Sequence, residues 1–404
     1  MKINVHLIVS ALLIALGACS KVEKRPTIDH ATGTVSDGNG TSGTTSTDGS
    51  LDPGSNGDDA SAADGGGAGD GNGNSTSGDS DTAATGGDPS LKLTVTTSGR
   101  QLLVDGKPFI IKGVCYNPVP KGKFQPLFNN PDAAGLKVLE QDFKLMNEAG
   151  INTIRTYSVI ESTAVLDLLV KYNIFVIVPV LNVFNQSDAD VTRVVKLLKE
   201  HRSTLFWQVG NEWNFNNLYG GPNFEAAKAV VKRAGAAVKA NDLSHPLSTD
   251  YGEVPDKALV DELKDFDIWA LNIYSDKTFG DRFARFKAIS GKPMLVGEFG
   301  ADAYNANIKG PDLNSQAIAT EALIKEITAN LSATSADNAV LGGTIFEWND
   351  ELWKDGAGSV SAQDVGGTAP GGGPFPDGTS SWGRVDIDRN VRPAYNSLKA
   401  LWKP

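Results

Sequence analysis

Short apolar runs alternate with segments of helical periodicity from about residue 109 onward. Continuous apolar runs are typical of parallel strands that are buried on both faces. Between them, Leu139, Phe143 and Met146 recur at helical spacing, and Gly150 follows where a helix C-cap is expected. The strand candidates are residues 109–116, 151–157, 175–180, 205–212, 247–250, 268–274, 294–300 and 342–348.

Eight strands that are each followed by a helix predict an α/β fold, the (β/α)8 or TIM barrel. The last helix is expected over residues 392–402. Before the barrel, residues 91–109 contain an Asp-Gly turn, which predicts a short N-terminal β-hairpin that closes the bottom of the barrel. An open doubly wound sheet is the alternative, but no G-x-G-x-x-G sequence follows the first strand.

The first residues have the features of a secretory signal. Residues 1–18 begin with a positive charge at Lys2 and continue with an apolar run too short to span a membrane. The sequence LGAC resembles the bacterial lipobox, and this resemblance implies a signal peptide that ends before a lipidated Cys19. Ser20 implies sorting to the outer membrane of a Gram-negative cell. A signal peptide with a chance cysteine is the alternative.

Residues 19–90 are predicted to be a disordered tether. The part over 31–90 has ten Asp, no Lys or Arg and no aromatic residue, so it cannot bury enough apolar surface to fold. These aspartates account for nearly all of the chain's net charge of −11, which leaves the rest close to neutral. No basic patch indicates nucleic acid as a partner. Residues 91–404 are the predicted catalytic domain.

Polar and aromatic side chains cluster at the C-terminal ends of the predicted strands, where TIM barrels carry their functional residues. Aromatic rings can cover the C–H faces of sugars, and amides and carboxylates can bind hydroxyls, so the mixture favours an oligosaccharide or polysaccharide substrate. With two cysteines and no Cys/His cluster of metal spacing, neither a metal nor another cofactor is predicted. The candidates are Arg155, Tyr157, Asn211, Glu212, Asp250, Tyr274, Glu298 and Trp348.

Glu212 and Glu298 are the strongest pair of carboxylates. They are 86 residues apart in the sequence, which is three strand-to-strand units of about 29 residues, and a βαβ unit takes roughly 30. The pair therefore belongs to the fourth and seventh strands. Two carboxyl groups across a cleft can supply the acid and the nucleophile of a glycosidase, and a retaining mechanism expects them about 5–5.5 Å apart.

Several motifs carry a resemblance to known glycosidases. Asn-Glu at the end of strand four and Glu at the end of strand seven resemble the signature of clan A retaining enzymes. FIIKGVCYNP, NTIRTY, VGNEWNFNN, LNIYSDKTFGDRF and VGEFG are similar to motifs of the β-1,3-glucanosyltransferases of family 72, and the chain also resembles the barrels of families 2 and 5. The resemblance covers roughly residues 100–400. Cys115 and the absence of a cysteine-rich extension depart from family 72.

The resemblance implies a role for five residues. Glu212 matches the general acid/base, Glu298 the nucleophile, Asn211 the residue that bonds the sugar 2-hydroxyl, Tyr274 the tyrosine near the nucleophile, and Arg155 the arginine that keeps it ionised. A nearby cation is expected to lower the pKa of Glu298. Trp207 and Trp213 are expected to form part of an apolar wall that raises the pKa of Glu212.

The remaining candidates are less specific. Tyr157 and Asp250 are predicted to contact substrate, and Trp348 is predicted to be a sugar-stacking platform, with packing as the alternative for each. Glu347 is an alternative carboxylate on the eighth strand. The Gly/Pro/Ser-rich segment 354–382 is expected to be either a mobile wall of the cleft or a disordered insertion.

Together these features predict a retaining β-glycoside hydrolase of the cell surface that acts on a β-glucan or a related oligosaccharide. Three alternatives stay open at this point: a β-1,3-glucanosyltransferase, an exo-acting enzyme resembling β-mannosidases or β-galactosidases, and a non-catalytic glycan-binding lipoprotein.

Overall fold

A closed barrel of eight parallel strands forms the centre of the protein. The structure, a computed structural model, describes residues 93–275, 277–305, 308, 310–352 and 382–403. The predicted TIM barrel is confirmed, and the open sheet is wrong because the last barrel strand pairs with the first. In chain order the barrel strands are β4 (Ile111–Cys115), β5 (Thr153–Arg155), β6 (Phe175–Leu181), β7 (Thr204–Val209), β8 (Leu247–Gly252), β9 (Ile268–Asn272), β10 (Met294–Phe299) and β13 (Val340–Ile345).

A three-stranded antiparallel sheet precedes the barrel: β1 (Val95–Ser98), β2 (Gln101–Val104) and β3 (Lys107–Pro108). The predicted Asp-Gly turn joins β2 to β3, with positive φ at both Asp105 and Gly106. The predicted hairpin is therefore present and is extended by one strand. Leu93, Val95 and Leu102 share a buried cluster with apolar side chains of the barrel strands, so the sheet closes one end of the barrel.

Helices surround the barrel: α1 (Ala133–Glu148), α2 (Thr163–Lys171), α3 (Asp188–Leu198), α4 (Trp213–Gly220), α5 (Phe224–Asn241), α6 (Lys257–Glu262), α7 (Arg282–Ile289), α8 (Leu313–Ala329) and α9 (Pro393–Trp402). A 3-10 helix spans Leu127–Asn129, and β11 (Tyr304–Asn305) pairs with β12 (Gly310–Pro311). Helix α3 begins with a capping box between Ser187 and Asp190. Gly150 has φ +77 and a Cβ there would lie 2.8 Å from the carbonyl oxygen of Trp402, so α1 and α9 approach closely at this glycine.

The main core lies between the strands and the helices. The apolar positions predicted for α1, Leu139, Phe143 and Met146, are fully buried there. Within the described ranges no helix is both long and apolar enough to cross a membrane. The predicted signal peptide, Cys19, the tether over 19–90 and residues 354–381 of the predicted loop lie outside the described residues.

Candidate active site

The candidate residues meet at the C-terminal end of the barrel. Arg155 is the last residue of β5, Glu212 follows β7, Asp250 lies in β8 and Glu298 lies in β10. Residue 298 is paired in register with Asn272, the last residue of β9. Because parallel strands all end at the same face of the barrel, residues far apart in the sequence lie next to one another here.

Three donors hold the carboxylate of Glu298. Nη1 of Arg155 and the hydroxyl of Tyr157 donate to Oε1 over 2.6 and 2.7 Å, and the hydroxyl of Tyr274 donates to Oε2 over 2.8 Å. Burial and the charge of Glu298 raise the pKa of Tyr274 well above its usual value, so its hydroxyl stays protonated and donates. Glu298 is only 7% exposed, and both of its oxygens are fixed in direction.

Arg155 is fully buried, and all three nitrogens of its guanidinium donate hydrogen bonds. Besides Glu298, its Nη2 donates to Oδ1 of Asn211 over 2.6 Å and lies 3.1 Å from Oδ2 of Asp250. Its Nε donates to Gln208 over 3.2 Å. Burial opposes the charge, but Asp250 and Glu298 outweigh it and raise the pKa of Arg155 well above its usual value. The site therefore contains a permanent cation that touches the acidic side chains of both Asp250 and Glu298.

Glu212 lies at the edge of the same network. Its backbone is left-handed, with φ 46, and its N–H donates to Oδ1 of Asp250 over 3.3 Å. Its side chain is partly exposed, in contrast to the buried Glu298. A left-handed backbone at a non-glycine residue is uncommon and is concentrated at functional sites. This turn lets α4 begin directly after Glu212, three residues after β7 ends at Val209.

The two tryptophans near Glu212 in the sequence do not form the predicted wall. Both are fully buried. The indole of Trp207 donates to Asp242, the C-cap of α5, over 2.9 Å, and that of Trp213 donates to Thr249 over 3.0 Å. The prediction is wrong because strand and helix periodicity turn both rings toward the surrounding helices.

The amide of Asn211 has a fixed orientation. Its Oδ1 accepts from Arg155 and also from Nδ2 of Asn272, over 3.2 Å. Its Nδ2 therefore points the other way and donates to the hydroxyl of Tyr219 over 3.2 Å. Sequence reasoning missed Tyr219, which is the last of three successive left-handed residues, 217–219. The only signal in the sequence is an Asn-Asn pair in front of it, since asparagine tolerates this conformation.

The structure corrects the prediction for Asp250. It was predicted to contact substrate, but its side chain is fully buried under Arg155 and the backbone of Glu212. Burial raises the pKa of Asp250 well above its usual value, although the positive charge of Arg155 opposes this. Asp250 is therefore a positioning residue that links the arginine to the loop after β7.

The structure also corrects the prediction for Trp348. It is fully buried, and its ring packs at 6.2 Å against Tyr395 of α9, so the structure does not place it as a sugar platform. Trp382 takes the position beside the site instead. Its ring lies 5.5 Å from that of Tyr274 and 5.8 Å from that of Phe346. In the sequence Trp382 is the last residue of the segment 354–382, which is predicted as a cleft wall or an insertion, and no role of its own is predicted for it.

Cys115 forms the floor of this aromatic cluster, with Tyr157 and Tyr274 packed against it. Burial raises the pKa of its thiol to about 12. A thiol of that kind is not a nucleophile near neutral pH. Glu347, the alternative carboxylate, is buried, 1% exposed.

The fold and the site define the class of protein. A TIM barrel with one carboxylate held by an arginine and two tyrosines, and a second at the end of the fourth strand, is the arrangement of a glycoside-processing enzyme. The comparisons with known proteins support this class.

The chain is similar to 1,3-beta-glucanosyltransferases. It is 27% identical over 279 residues to 1,3-beta-glucanosyltransferase PGA4 of Candida albicans, an alignment that covers 61% of this chain and 57% of the relative. It is 34% identical over 131 residues to 1,3-beta-glucanosyltransferase GAS4 of Saccharomyces cerevisiae, covering 27% of this chain and 26% of the relative. The resemblance predicted from the motifs is confirmed, although the chain spans less than two thirds of either relative. No protein-family model matches the chain.

Solved structures share the fold. A GH2 beta-galacturonidase from Eisenbergiella tayi superposes with a TM-score of 0.56 at 19% identity, over 77% of this chain and 54% of that one. A beta-D-glucuronidase of Dictyoglomus thermophilum gives a TM-score of 0.56 at 19% identity, over 77% and 53%. A b-glucuronidase from Ruminococcus gnavus gives 0.55 at 18% identity, over 77% and 52%.

Proposed function

We propose that the protein is a retaining β-glycosidase that cleaves β-linked glucan by double displacement. The observation that carries the proposal is the environment of Glu298. Its carboxylate accepts from Arg155, Tyr157 and Tyr274, so it is fixed as an anionic nucleophile on the seventh strand, with Glu212 after the fourth. The separation of about 5–5.5 Å between the two carboxyl groups stays a prediction of this mechanism.

In the first step an oxygen of Glu298 forms a bond to the anomeric carbon while the bond from that carbon to the leaving oxygen breaks. Glu212 gives its proton to the leaving oxygen, and a glycosyl ester on Glu298 results. In the second step water attacks the same carbon, Glu212 takes a proton from that water, and the ester bond breaks. The net reaction is hydrolysis with retention at the anomeric carbon.

The fixed amide of Asn211 supports the binding of a sugar at this point. Because its Oδ1 is occupied by Arg155 and Asn272, its Nδ2 is the group that can donate to a hydroxyl of the sugar. Tyr157, Tyr274 and Trp382 supply aromatic surface on the Glu298 side. These contacts fit a neutral pyranose, and no cofactor is needed for the two steps.

The test is to trap the covalent intermediate. A 2-fluoro β-glycosyl fluoride should add one sugar to the wild-type protein, and peptide mapping should locate it on Glu298. Glu298→Gln should abolish turnover of laminarin and aryl β-glycosides while glycan binding is kept. Turnover that survives in Glu298→Gln would show that another residue is the nucleophile.

Transfer to a sugar hydroxyl is the second candidate, because both relatives described above are named glucanosyltransferases. The chemistry is the same except that a sugar hydroxyl replaces water in the second step. Products longer than the starting oligosaccharide would show transfer. A product profile on laminarin, lichenan, cello-oligosaccharides and mannan would define the sugar and the linkage, and would separate endo from exo action.

We also propose that the enzyme acts outside the cytoplasm. A lipid on Cys19 holds it to the outer membrane, where it meets its polysaccharide substrate. The lipobox-like LGAC sequence and the composition of residues 19–90, which predicts a disordered tether, support this location. A tether of about 70 residues would let the barrel reach roughly 45 Å from its anchor.

A further inference from the structure

We propose that Phe215 is an aromatic platform for the sugar on the leaving-group side of the scissile bond. The ligand class is a β-linked glucosyl unit that departs after cleavage, or that enters as an acceptor. This inference rests on the proposed function, because it takes Glu212 as the residue that protonates the leaving oxygen.

Phe215 is a large apolar side chain that is 51% exposed on the catalytic face. It lies in the first turn of α4, directly after β7, and its backbone N–H donates to the carbonyl oxygen of Glu212 over 2.8 Å. A half-exposed aromatic ring leaves apolar surface in contact with water, and covering that surface is favourable. A ring held within one helical turn of a catalytic carboxylate is therefore a candidate contact for a ligand.

The ring is held in place by the neighbouring strand. A Cβ at Gly252, the last residue of β8, would come 2.8 Å from Cζ of Phe215 and closer still to Cδ2 and Cε2. The ring thus occupies the space that a side chain at position 252 would fill. Asn214 fixes this contact, because its side chain donates to the carbonyl of Gly252 over 2.8 Å and accepts from the N–H of Gly252 over 2.7 Å.

The position within the barrel assigns the side of the cleft. The other aromatic residues of the site, Tyr157, Tyr274, Phe346 and Trp382, form one cluster around Glu298 and Cys115. Tyr157, Tyr274 and Phe346 follow β5, β9 and β13, and Trp382 lies in the segment before α9. Phe215 instead covers the end of β8, and its backbone is bonded to that of Glu212. The cluster therefore faces the sugar that becomes attached to Glu298, and Phe215 faces the sugar that Glu212 protonates.

The test compares two substrates with different leaving groups. Laminaripentaose has a sugar as leaving group, whereas β-laminaribiosyl fluoride loses a single atom. Phe215→Ala should lower kcat/KM for laminaripentaose roughly tenfold more than for the fluoride, since an aromatic contact of this type is worth about one factor of ten. Gly252→Ala, which displaces the ring, should likewise lower kcat/KM for laminaripentaose more than kcat/KM for the fluoride. Phe215→Trp, which keeps an aromatic ring at this position, should leave the ratio of the two kcat/KM values at its wild-type level.

The matched control is Leu243→Ala. Leu243 is an exposed apolar residue, 83% exposed, in the loop before β8 at the opposite end of the barrel. Leu243→Ala should change kcat/KM for neither laminaripentaose nor the fluoride. Equal losses for both substrates in Phe215→Ala, or no loss at all, would overturn the proposal.

A binding measurement separates this proposal from the proposed function. In the Glu298→Gln protein, calorimetry should show that adding Phe215→Ala weakens laminaripentaose binding by about tenfold. If the wild type turns over neither substrate but this difference in affinity is seen, the proposed catalysis fails and the platform stands. If both proteins bind laminaripentaose equally, the platform is wrong whatever the activity.

Discussion

The carboxylate of Asp250 lies 3.1 Å from Nη2 of Arg155, and neither side chain is exposed to solvent. The same guanidinium contacts Glu298 at 2.6 Å. One buried cation therefore contacts two acidic side chains on different strands, β8 and β10. Removing one member of a buried ion pair leaves its partner as an uncompensated charge, which is far more costly than the net strength of the pair.

Arg155→Met should destabilise the protein by about 3–5 kcal/mol, because Asp250 and Glu298 would be left without their cation. Activity should be lost at the same time. Arg155→Lys keeps the charge but not the planar fork, so it should recover part of the stability and little of the activity. Urea unfolding and kcat/KM on laminarin are the measurements.

The control is Arg193→Met, which removes a half-exposed arginine from its surface pair with Glu161. Exposed pairs contribute about 0–1 kcal/mol, so this variant should unfold near the wild-type midpoint and keep full activity. An Arg155→Met protein as stable as Arg193→Met would contradict the role assigned to Arg155.

Asp250→Asn should change how stability depends on pH. Burial raises the folded-state pKa of Asp250, so the folded protein binds a proton at this site more tightly than the unfolded chain does. Its contribution to stability is therefore present at low pH and falls as the pH rises from the unfolded value, about 3.9, toward the folded value. Asparagine does not titrate, so Asp250→Asn does not lose stability at this site as the pH rises.

The measurement is the free energy of unfolding of both proteins across that interval. The wild type should lose stability relative to Asp250→Asn as the pH rises, with a slope of up to about 1.4 kcal/mol per pH unit. Asp337→Asn, at an exposed position, should follow the wild type. A difference between wild type and Asp250→Asn that is constant with pH, or that has the opposite sign, would show that Asp250 does not hold the proton.

Tyr157→Phe and Tyr274→Phe each remove one hydroxyl that donates to Glu298. Hydrogen bonds to a charged group contribute about 1.5–3 kcal/mol, so each variant should lose roughly 10- to 100-fold in kcat/KM. Tyr395→Phe is the control, because that hydroxyl donates to the carbonyl of Leu145 in the helical layer. It should cost some stability and no activity. A loss in Tyr395→Phe as large as in Tyr274→Phe would point to a general structural effect.

Cys19→Ala should release the protein from the membrane fraction if Cys19 carries the lipid anchor. In cells that process lipoproteins, labelled palmitate should enter the wild type and be absent from Cys19→Ala. Cys115→Ala should keep the label, since Cys115 is buried in the barrel. Label that persists in Cys19→Ala would refute the anchor.

The sequence was sufficient for the strands because each one is a continuous apolar run that ends on a polar residue. That pattern places Arg155, Asn211, Glu212 and Glu298 at one face of the barrel, where they are in fact close together. It does not say how deep each side chain lies. Asp250 looks like its neighbours in sequence, but Arg155 covers it completely.

Residues that reach the site by irregular backbone could not be predicted. Tyr219 reaches Asn211 through three left-handed residues, a conformation that local sequence preferences disfavour. Trp382 follows a long segment poor in periodic residues, so nothing fixed its return to Tyr274. Trp348 is predicted as the platform instead because it ends the predicted strand 342–348, yet it packs on Tyr395.

The contact between Phe215 and Gly252 links two positions that are distant in sequence. A side chain at position 252 and an aromatic ring at position 215 cannot occupy the same space. Across related proteins the two positions should therefore vary together: an aromatic residue at the first should be accompanied by glycine at the second, and loss of the ring should permit larger residues there. An alignment of relatives can then be read as a record of which barrels keep a sugar platform beside the proton donor and which have given it up.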